Sequence, residues 1–407
     1  DFFDSMSAGS GNPGIGPILQ SFVETVGAPL VEVSVSCEGD GARMAVSQSR
    51  YRPLGVDYPV DTAWTLPFCY RTEAGENCET ITEAETSLAL SSCPAWLFPN
   101  SNGLGYYRWN LDPQGWARLI DNQDRLSSDE LVNLADSVAS AFRSGRMDSA
   151  TLLELMAMLG KHESHEVSSQ LGALKDELRR PLLGDEPPDA YRQFVSSIYF
   201  PRLMALGVEP GDGDPITTRE DRSNALAWMA YHAKRPGIRS FLARQGTAYL
   251  EAVESGSDAM PVPDERVDVA LAMFVEDSNL SALAKLEALA VGSTDTMFRT
   301  RTFLALGSAQ DPDYLEHVYA ELLPGNALPA REKLLLVGSL SRNGKARERN
   351  FRWVAANLDP LMRDVPAIMR TDIAGTGAGF CEPGTRKLFA GFVSDIEERE
   401  PGIARAG

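Results

Sequence analysis

Histidine is the residue type that this 407-residue sequence uses least, with four copies. Basic side chains are also in deficit, because 38 Lys and Arg stand against 57 Asp and Glu, giving a net charge of −19. Binding to nucleic-acid phosphates requires clustered Lys and Arg, so we expect no nucleic-acid partner. Runs of about 20 apolar residues are also missing, so we expect no membrane span. The length predicts two or three domains.

The scarcity of histidine restricts the metal sites that the chain could form. The four copies are His162, His165, His232 and His317. Residues 162–166 have the sequence His-Glu-Ser-His-Glu, whereas the zinc-peptidase pattern HExxH places its histidines four residues apart on one helix face. Here the spacing is three and no third ligand is evident. The sequence therefore predicts no metal ligand and an exposed helix junction at this place.

Two glycine-rich segments also lack the features of a cofactor site. Gly9, Gly11 and Gly14 have the dinucleotide-binding spacing, but they follow no predicted strand, so we expect a loop. Residues 375–379 lack the lysine of a phosphate-binding loop and predict a helix break. Because no nucleophile stands beside a base, we predict no catalytic and no cofactor-binding residue in this chain.

Four of the five cysteines, Cys37, Cys69, Cys78 and Cys93, lie in the first hundred residues. Cys69 and Cys78 flank a polar segment that predicts a hairpin connection, so we favour a disulfide between them, with Cys37–Cys93 as the remaining pair. Four cysteines allow three connectivities, and the sequence leaves the choice open. Because disulfides persist in oxidising compartments, cysteine usage predicts an exported protein, periplasmic or in the cell envelope. Cys381 is left over and is predicted to be a buried thiol.

Acidic residues are concentrated at the start of the chain. Residues 1–100 contain thirteen Asp and Glu but only four Arg. We interpret this excess as a solvated acidic face, and a docking surface for a basic neighbour is the alternative interpretation.

The hydrophobic period changes once along the sequence, near Asp112. Before it, Val31, Val33 and Val35 alternate with polar residues, which is typical of a half-buried strand. The other strand candidates are 43–50, 64–71, 79–83, 87–91, 95–98 and 105–110. After it, apolar residues recur at helical spacing. Clear stripes lie at Leu131/Leu134/Val138/Phe142, Leu152/Leu155/Met156/Leu159, Leu315/Val318/Tyr319/Leu322, Phe351/Val354/Ala355/Leu358 and Phe389/Phe392/Val393/Ile396.

Capping signals divide the second stretch into helices of about 12–18 residues. Ser127-x-x-Glu130 and Thr217-x-x-Glu220 predict capping boxes, and Asp311-Pro312 predicts a helix start. Helix ends are predicted at Gly207, at 324–326 and at Pro360. The loops 184–189 and 207–215 are expected to be the most exposed breaks between the helices of this second stretch.

These patterns predict a multidomain, mainly α protein, in which a small β-sandwich precedes an irregular α-superhelix of HEAT-like helical pairs. A helix with one apolar stripe must be covered by its neighbours, so the pairs are expected to stack. We place the boundaries at 1–27 for short helices, 28–112 for the β-sandwich and 113–407 for the superhelix.

Arginines are spread through the helical stretch, and we expect most of them to be surface charges. On the concave side of a superhelix, some could receive a peptide carboxylate by bidentate contact. The sequence does not say which of them would do so: Arg222, Arg239, Arg299, Arg301, Arg342, Arg352, Arg363, Arg370 and Arg386.

Several segments, taken in order, resemble the C-terminal region of zinc aminopeptidases of the aminopeptidase N type, in the gluzincin group. The segment from Asp1-Phe2-Phe3 through Phe22 to Val31 resembles the exit from that family's catalytic domain. Residues 96–116, with Trp96-Leu-Phe-Pro-Asn100 and Gly105-Tyr-Tyr-Arg108, resemble the last sandwich strand as it runs into the superhelix. Residues 303–312 and 350–359 resemble helix–turn segments further along, and Phe389–Phe392 resembles a helix near the end.

The resemblance implies that residues 1–27 are the terminal helices of a thermolysin-like catalytic domain that is absent here. The family's zinc ligands, glutamate base and proton-donating tyrosine belong to that missing part, so none is assigned to a position in this sequence. The start at Asp1, without Met, is expected for such a fragment, whose signal sequence would lie elsewhere.

The function that the resemblance implies is that of the non-catalytic part of an enzyme that removes N-terminal residues from peptides with zinc. This part would close the substrate chamber and contact the C-terminal portion of the peptide. Its partners would be its own catalytic domain and the peptide substrate, and we predict the fragment alone to be inactive. The alternatives are a non-enzymatic helical scaffold that binds a protein partner, and a family member that has lost its zinc site.

Overall fold

The structure is a computed structural model that describes residues 2–38, 41–170, 184, 186–377, 380 and 382–400. The chain divides into two compact units, Asp1–Lys175 and Asp176–Gly407. Most of the described chain is helical and a smaller part forms two sheets, so the predicted mainly α fold with a small β part is confirmed.

The first unit contains both sheets. Its strands are β1 Pro29–Glu38, β2 Gly41–Arg50, β3 Leu66–Thr72, β4 Gly75–Ile81, β5 Glu85–Leu90, β6 Leu97–Phe98 and β7 Arg108–Leu111. One sheet has the order β5-β2-β1-β7, with β7 parallel to β1, and the other has the order β4-β3-β6. Phe98 of the second sheet packs edge-on against Trp109 of the first, at 5.1 Å between ring centroids.

The alternation read from the sequence agrees with the buried faces of these strands. Val31 and Val33 are buried while Glu32 between them is half-buried, and Leu66 and Phe68 are buried on β3. This is the pattern of a strand with one face toward a core.

Several strand boundaries differ from the sequence prediction by a few residues, and two of the larger differences have local reasons. The hairpin between β3 and β4 has a two-residue connection because Gly75 takes a φ of 118°, so β4 begins four residues earlier than expected. The last strand begins at Arg108 rather than at 105. The Asn100 side chain accepts from the Gly105 N–H at 2.7 Å and donates to the Gly105 carbonyl at 2.9 Å, which closes a loop.

Helices of the first unit flank the sheets. They are Phe2–Ser10, Ile15–Glu24, Pro113–Asp121, Ser128–Arg143, Ser149–Gly160 and His165–Ser169. The change from sheet to helix occurs at Asp112, whose carboxylate accepts from the Gly115 N–H at 2.7 Å and caps the helix Pro113–Asp121. Trp109 and Trp116 stack across this change at 5.2 Å.

A buried ion pair fastens β3 to the helix Ser128–Arg143. The predicted capping box is confirmed: Glu130 accepts from the Ser127 N–H, and Ser127 accepts from the Glu130 N–H. The Glu130 carboxylate is buried and receives both Nε and Nη2 of Arg71, with 2.8 Å at Nε. Arg71 also donates to the Arg125 carbonyl at 2.8 Å. One carboxylate therefore both caps the helix and joins it to the sheet.

The second unit is helical throughout the part that the structure describes. Its α-helices are Asp189–Leu206, Ile216–Tyr231, Pro236–Ser255, Val267–Glu276, Leu280–Gly292, Thr296–Leu306, Pro312–His317, Ala330–Leu340, Arg347–Ala356, Leu358–Asp364, Thr371–Ala374 and Pro383–Arg399. A π-helical turn, Val318–Leu322, follows His317. Short 3₁₀ turns in the two units are Ser101–Gly103, Gln123–Arg125, Asp264–Arg266, Ala367–Met369 and Gly375–Gly377.

Apolar stripes of these helices form a continuous core from Tyr249 to Ile396. Near its end, Phe351 contacts the rings of Phe380, Phe389 and Phe392 at 5.3–5.9 Å. The predicted stacking of single-stripe helices is therefore how this unit buries its apolar surface.

Two predicted helix boundaries in this unit are wrong. The helix expected to be capped by Thr217 begins at Ile216, after Pro215, so Thr217 lies inside the first turn. Pro360 does not end a helix: it is the third residue of Leu358–Asp364, where its missing N–H is not needed for an intrahelical bond. The start at Asp311 is confirmed, because its carboxylate accepts from the Asp313 and Tyr314 N–H groups.

We expect Arg71→Met to lower the free energy of unfolding of the first unit by about 3 kcal/mol, because it leaves the buried Glu130 carboxylate without its cation. Burial raises the pKa of Glu130, but the hydrogen bonds from Arg71 and the Ser127 N–H outweigh this and the pKa is lowered overall. The stabilisation should therefore be complete above the unfolded pKa of Glu130 and lost as the pH falls through the folded one. Urea unfolding at several pH values measures both effects.

The control is Arg43→Met, at an exposed arginine on β2, which should change the free energy of unfolding little. Equal losses in the two variants would contradict the assignment.

Cys69 and Cys78 are directly opposite each other on β3 and β4, and the structure joins them, as it joins Cys37 to Cys93. The pairing stays a chemical prediction, which peptide mapping of the unreduced, alkylated protein tests. We expect a linked peptide pair containing Cys69 and Cys78. Finding both alkylated without reductant would rule the bridge out.

Candidate functional site

Arginine side chains make the most distinctive polar contacts of the second unit. Arg299, the fourth residue of the helix Thr296–Leu306, reaches back to the end of the preceding helix. It donates to the carbonyl groups of Ala290 at 2.7 Å and Val291 at 2.8 Å. Its Nε donates to the Glu332 carboxylate at 2.6 Å. The Arg299 side chain thus belongs to one helix, satisfies the last carbonyl groups of the helix before it, and pairs with a carboxylate on a third helix.

Arg239 repeats this arrangement in another helix. It is also the fourth residue of its helix, Pro236–Ser255, and it donates to the carbonyl of Ala230, nine residues earlier, as Arg299 does to Ala290. Its other terminus pairs with Glu276 at 2.7 Å. The same position, the same backward reach and a forward carboxylate therefore occur twice.

Arg222 and Arg266 hold the loop 207–215 from inside. Arg222, whose side chain is 3% exposed, donates to the carbonyls of Leu206 and Gly207, both at 3.0 Å, and pairs with Asp214 at 2.5 Å. Arg266 donates to the Val208 carbonyl at 2.7 Å. The Gly211 N–H, then Arg222, hold the pKa of Asp214 below its usual range. The outer side of the loop is exposed, as expected, but its first carbonyl groups are hydrogen-bonded to the two arginines.

Most of the arginines spread through the helical stretch were expected to be surface charges, but five of them are largely buried. Arg222, Arg239, Arg299, Arg301 and Arg370 are at most 26% exposed, and each pairs with a carboxylate of this chain. A further group is exposed and accessible to a ligand: Arg342, Arg352, Arg363 and Arg386. Arg352 and Arg363 pair with near neighbours on the surface.

A cationic cavity of about 550 Å³ lies between the helices Asp189–Leu206 and Pro236–Ser255. Arg192, Lys234 and Arg235 line it, and the Arg235 guanidinium stacks on the Phe200 ring at 4.2 Å. Asp189 contributes one negative charge, and Arg192 pairs with Glu186 at 3.0 Å. None of these residues was predicted to form a site. The run Lys234-Arg235 directly before a proline-initiated helix was the signal that could have found them.

The motifs that suggested chemistry are dispersed. Ser164 caps the short helix His165–Ser169, and the His162 Nδ1 accepts from the Ser164 N–H at 3.1 Å, so these histidines lie at a helix junction. Of the three glycines predicted to form a loop, Gly11 and Gly14 lie between the first two helices, whereas Gly9 lies inside the helix Phe2–Ser10. Of the glycine segment 375–379, residues 378–379 lie outside the described residues, as does Cys381. Within the part of the chain that the structure describes, no three His, Cys, Asp or Glu side chains converge to hold a metal ion.

Exposed apolar residues collect on the first two helices and the loop beside them. Val23 and Val26 are 71% and 77% exposed, and Leu104 and Tyr106 are 85% and 75% exposed. The Phe22 and Tyr106 rings lie 6.0 Å apart, which brings the helix and the loop together. We call Phe2, Val23, Val26, Leu104 and Tyr106 the amino-terminal apolar surface. Large exposed apolar side chains typically mark an interaction site where they cluster.

Residues 96–406 match the family described as ERAP1-like C-terminal domain. The chain belongs to that family. None of the helices among the described residues is long and apolar enough to cross a membrane.

Curated relatives of the chain are aminopeptidases and a protease-interacting factor. Aminopeptidase 2, mitochondrial, of Saccharomyces cerevisiae is 21% identical over 90% of this chain and 38% of its own length. Aminopeptidase 2 of Candida albicans is 19% identical over 98% of this chain and 43% of its own length. Tricorn protease-interacting factor F2 of Thermoplasma acidophilum is 22% identical over 93% and 43%. The chain thus spans about two fifths of these relatives, and the resemblance to a C-terminal aminopeptidase region is confirmed.

The prediction of an exported protein is wrong. It rested on cysteine usage alone, whereas a relative that aligns with 90% of the chain is named as mitochondrial. Two cysteines on paired strands come together because the strand register brings them together. Their proximity therefore says nothing about the compartment.

We expect Arg222→Ala to lower the free energy of unfolding of the second unit by about 3 kcal/mol, because the carbonyls of Leu206 and Gly207 lose a charged donor. Arg352→Ala, which removes an exposed arginine paired with Glu348 at i,i+4, is the matched control and should cost less than about 0.5 kcal/mol. Urea unfolding of the two variants makes the comparison. A loss at Arg222 no larger than that at Arg352 would show that the buried contacts are not stabilising.

Proposed function

We propose that this chain is the non-catalytic C-terminal part of a zinc-dependent aminopeptidase that removes N-terminal residues from peptides. The observation that carries the proposal is the family match over residues 96–406, together with relatives that are named aminopeptidases. The chain covers 38–43% of those relatives, which leaves room in such a protein for a catalytic part.

Zinc would be bound outside this chain. The described residues offer no group of three metal-ligating side chains, so they do not fit a zinc site, and no step of the reaction is assigned to them. In this proposal the chain closes the substrate chamber and contacts the C-terminal portion of the peptide. The cationic cavity at Lys234 and Arg235 and the exposed arginines supply positive charges that suit a peptide carboxylate.

The catalytic part is the partner that we propose for the amino-terminal apolar surface. The helix Phe2–Ser10 has no buried residue and Ile15–Glu24 buries only Gly16, although both contain large apolar side chains. At about 25 cal/mol per Å² of apolar surface removed from water, covering these side chains would favour association. Phe2, Met6 and Val23 on these helices are exposed, and the other large apolar side chains are half-buried, as expected for helices that complete another domain.

We expect the isolated chain to show no hydrolysis of an aminoacyl chromogenic amide, even with added zinc, and the full-length gene product to hydrolyse it. Turnover by the isolated chain would refute the assignment of catalysis to another part. No turnover by the full-length protein would favour a scaffold or a family member that has lost its zinc site.

Val26→Asp in the full-length protein tests the docking surface. The introduced charge should loosen the association with the catalytic part and raise its sensitivity to limited proteolysis. Leu388→Asp, at an exposed leucine of the second unit, is the control and should leave the digestion pattern unchanged. The same pattern for both variants would contradict docking at this surface.

A further inference from the structure

His317 lies between two carboxylates at an irregular point of the second unit. It ends the helix Pro312–His317, and the π-helical turn Val318–Leu322 follows it. Its Nε2 lies 3.0 and 3.2 Å from the two carboxylate oxygens of Glu287, on the helix Leu280–Gly292. Its Nδ1 lies 3.3 Å from Glu321 Oε2, within the π turn. Each ring nitrogen therefore faces an acceptor.

Only the charged form of the imidazole satisfies this geometry. A neutral imidazole carries one N–H and one lone pair, so one of its nitrogens would face a carboxylate without a proton. The imidazolium donates from both nitrogens and can bridge Glu287 and Glu321 at once. Loss of one proton must therefore break one of the two contacts.

The two carboxylates are held unequally. Glu287 is 14% exposed and also accepts from the Tyr314 hydroxyl at 2.9 Å, whereas Glu321 is 75% exposed. Burial, reinforced by Glu287, raises the pKa of the Tyr314 phenol, so Tyr314 keeps its proton. Glu321 is therefore the carboxylate that is released when His317 becomes neutral.

Two charged residues close in sequence to His317 and Glu287 have partners of their own. Glu316 pairs with Arg349 at 2.7 Å, and Arg349 lies over the Tyr319 ring at 4.6 Å. Lys285 pairs with Glu254 at 2.7 Å. Burial lowers the pKa of His317, but Glu287 and then Glu321 reverse this, and the pKa is raised overall.

We propose that His317 is a pH-sensitive latch, which as an imidazolium joins Glu287 to Glu321 and on losing its proton releases Glu321 and loosens the π turn. The latch is closed below the pKa of the folded His317 and opens as the pH rises through it. The affected backbone bond is the one from the Leu323 N–H to the Val318 carbonyl, 2.9 Å long, which closes the turn.

Histidine NMR and hydrogen exchange of the whole chain, over roughly pH 5 to 9, test the latch. With four histidines, the ring signals of His317 can be assigned by comparison with His317→Lys. We expect its pKa to lie above the ordinary value and to fall in Glu321→Gln. Protection of the Leu323 amide, corrected for intrinsic exchange, should drop about two- to fivefold as His317 deprotonates, the effect of one exposed ion pair.

Two variants separate the latch from a general effect of charge. Glu348→Gln removes the same charge from an exposed pair in another helix and should leave both readouts unchanged. His317→Lys keeps a cation throughout the range, so protection of Leu323 should no longer vary with pH. An ordinary pKa for His317, or a Leu323 protection step that persists in Glu321→Gln, would overturn the proposal.

Discussion

The second unit depends on how its helix ends are satisfied. Each helix leaves its last carbonyl groups without intrahelical donors, and an array of short helices has many such ends. Arginines on later elements donate into several of them: Arg222 for Asp189–Leu206, Arg239 for Ile216–Tyr231, Arg299 for Leu280–Gly292, and Arg370 for Val365 after Leu358–Asp364. A buried carbonyl without a donor costs about 1–3 kcal/mol, so these contacts allow the ends to pack inside the array.

The same solution occurs where the sheets meet the helices of the first unit. Arg71 donates into the Arg125 carbonyl, which ends a 3₁₀ turn, and pairs with the Glu130 carboxylate that caps the next helix. Asn343 acts similarly without a charge, since its amide donates to the carbonyls of Gly307 and Ala309. Polar side chains thus satisfy carbonyl groups at the helix ends, and apolar stripes supply the area that the helices bury.

The sequence predicted the parts of this fold that depend on local pattern. The period-two alternation around Val31–Val35, the capping box at Ser127–Glu130 and the start at Asp311 are all found in the structure. Thr217 was misjudged because the helix begins one residue earlier, directly after Pro215. Pro360 was misjudged because a proline is tolerated in the first turn of a helix, so it does not by itself mark an end. The role of Arg239 and Arg299 could not be read from apolar periodicity, since their partners are set by how neighbouring helices pack. The cationic cavity was missed for the same reason, because Arg192 and Lys234 are 42 positions apart along the chain.

The arginine contacts also bear on function, because they remove most of the buried arginines from consideration as peptide ligands and leave the exposed ones and the cationic cavity. The central claim is that the carbonyl contacts, in addition to the ion pairs, stabilise the helix array. Urea unfolding of Arg299→Met and Glu332→Gln tests it most directly. Both variants break the ion pair, but only Arg299→Met removes the donor to the carbonyls of Ala290 and Val291. We predict a larger loss of the free energy of unfolding for Arg299→Met, by about 1–3 kcal/mol; equal losses would contradict the claim.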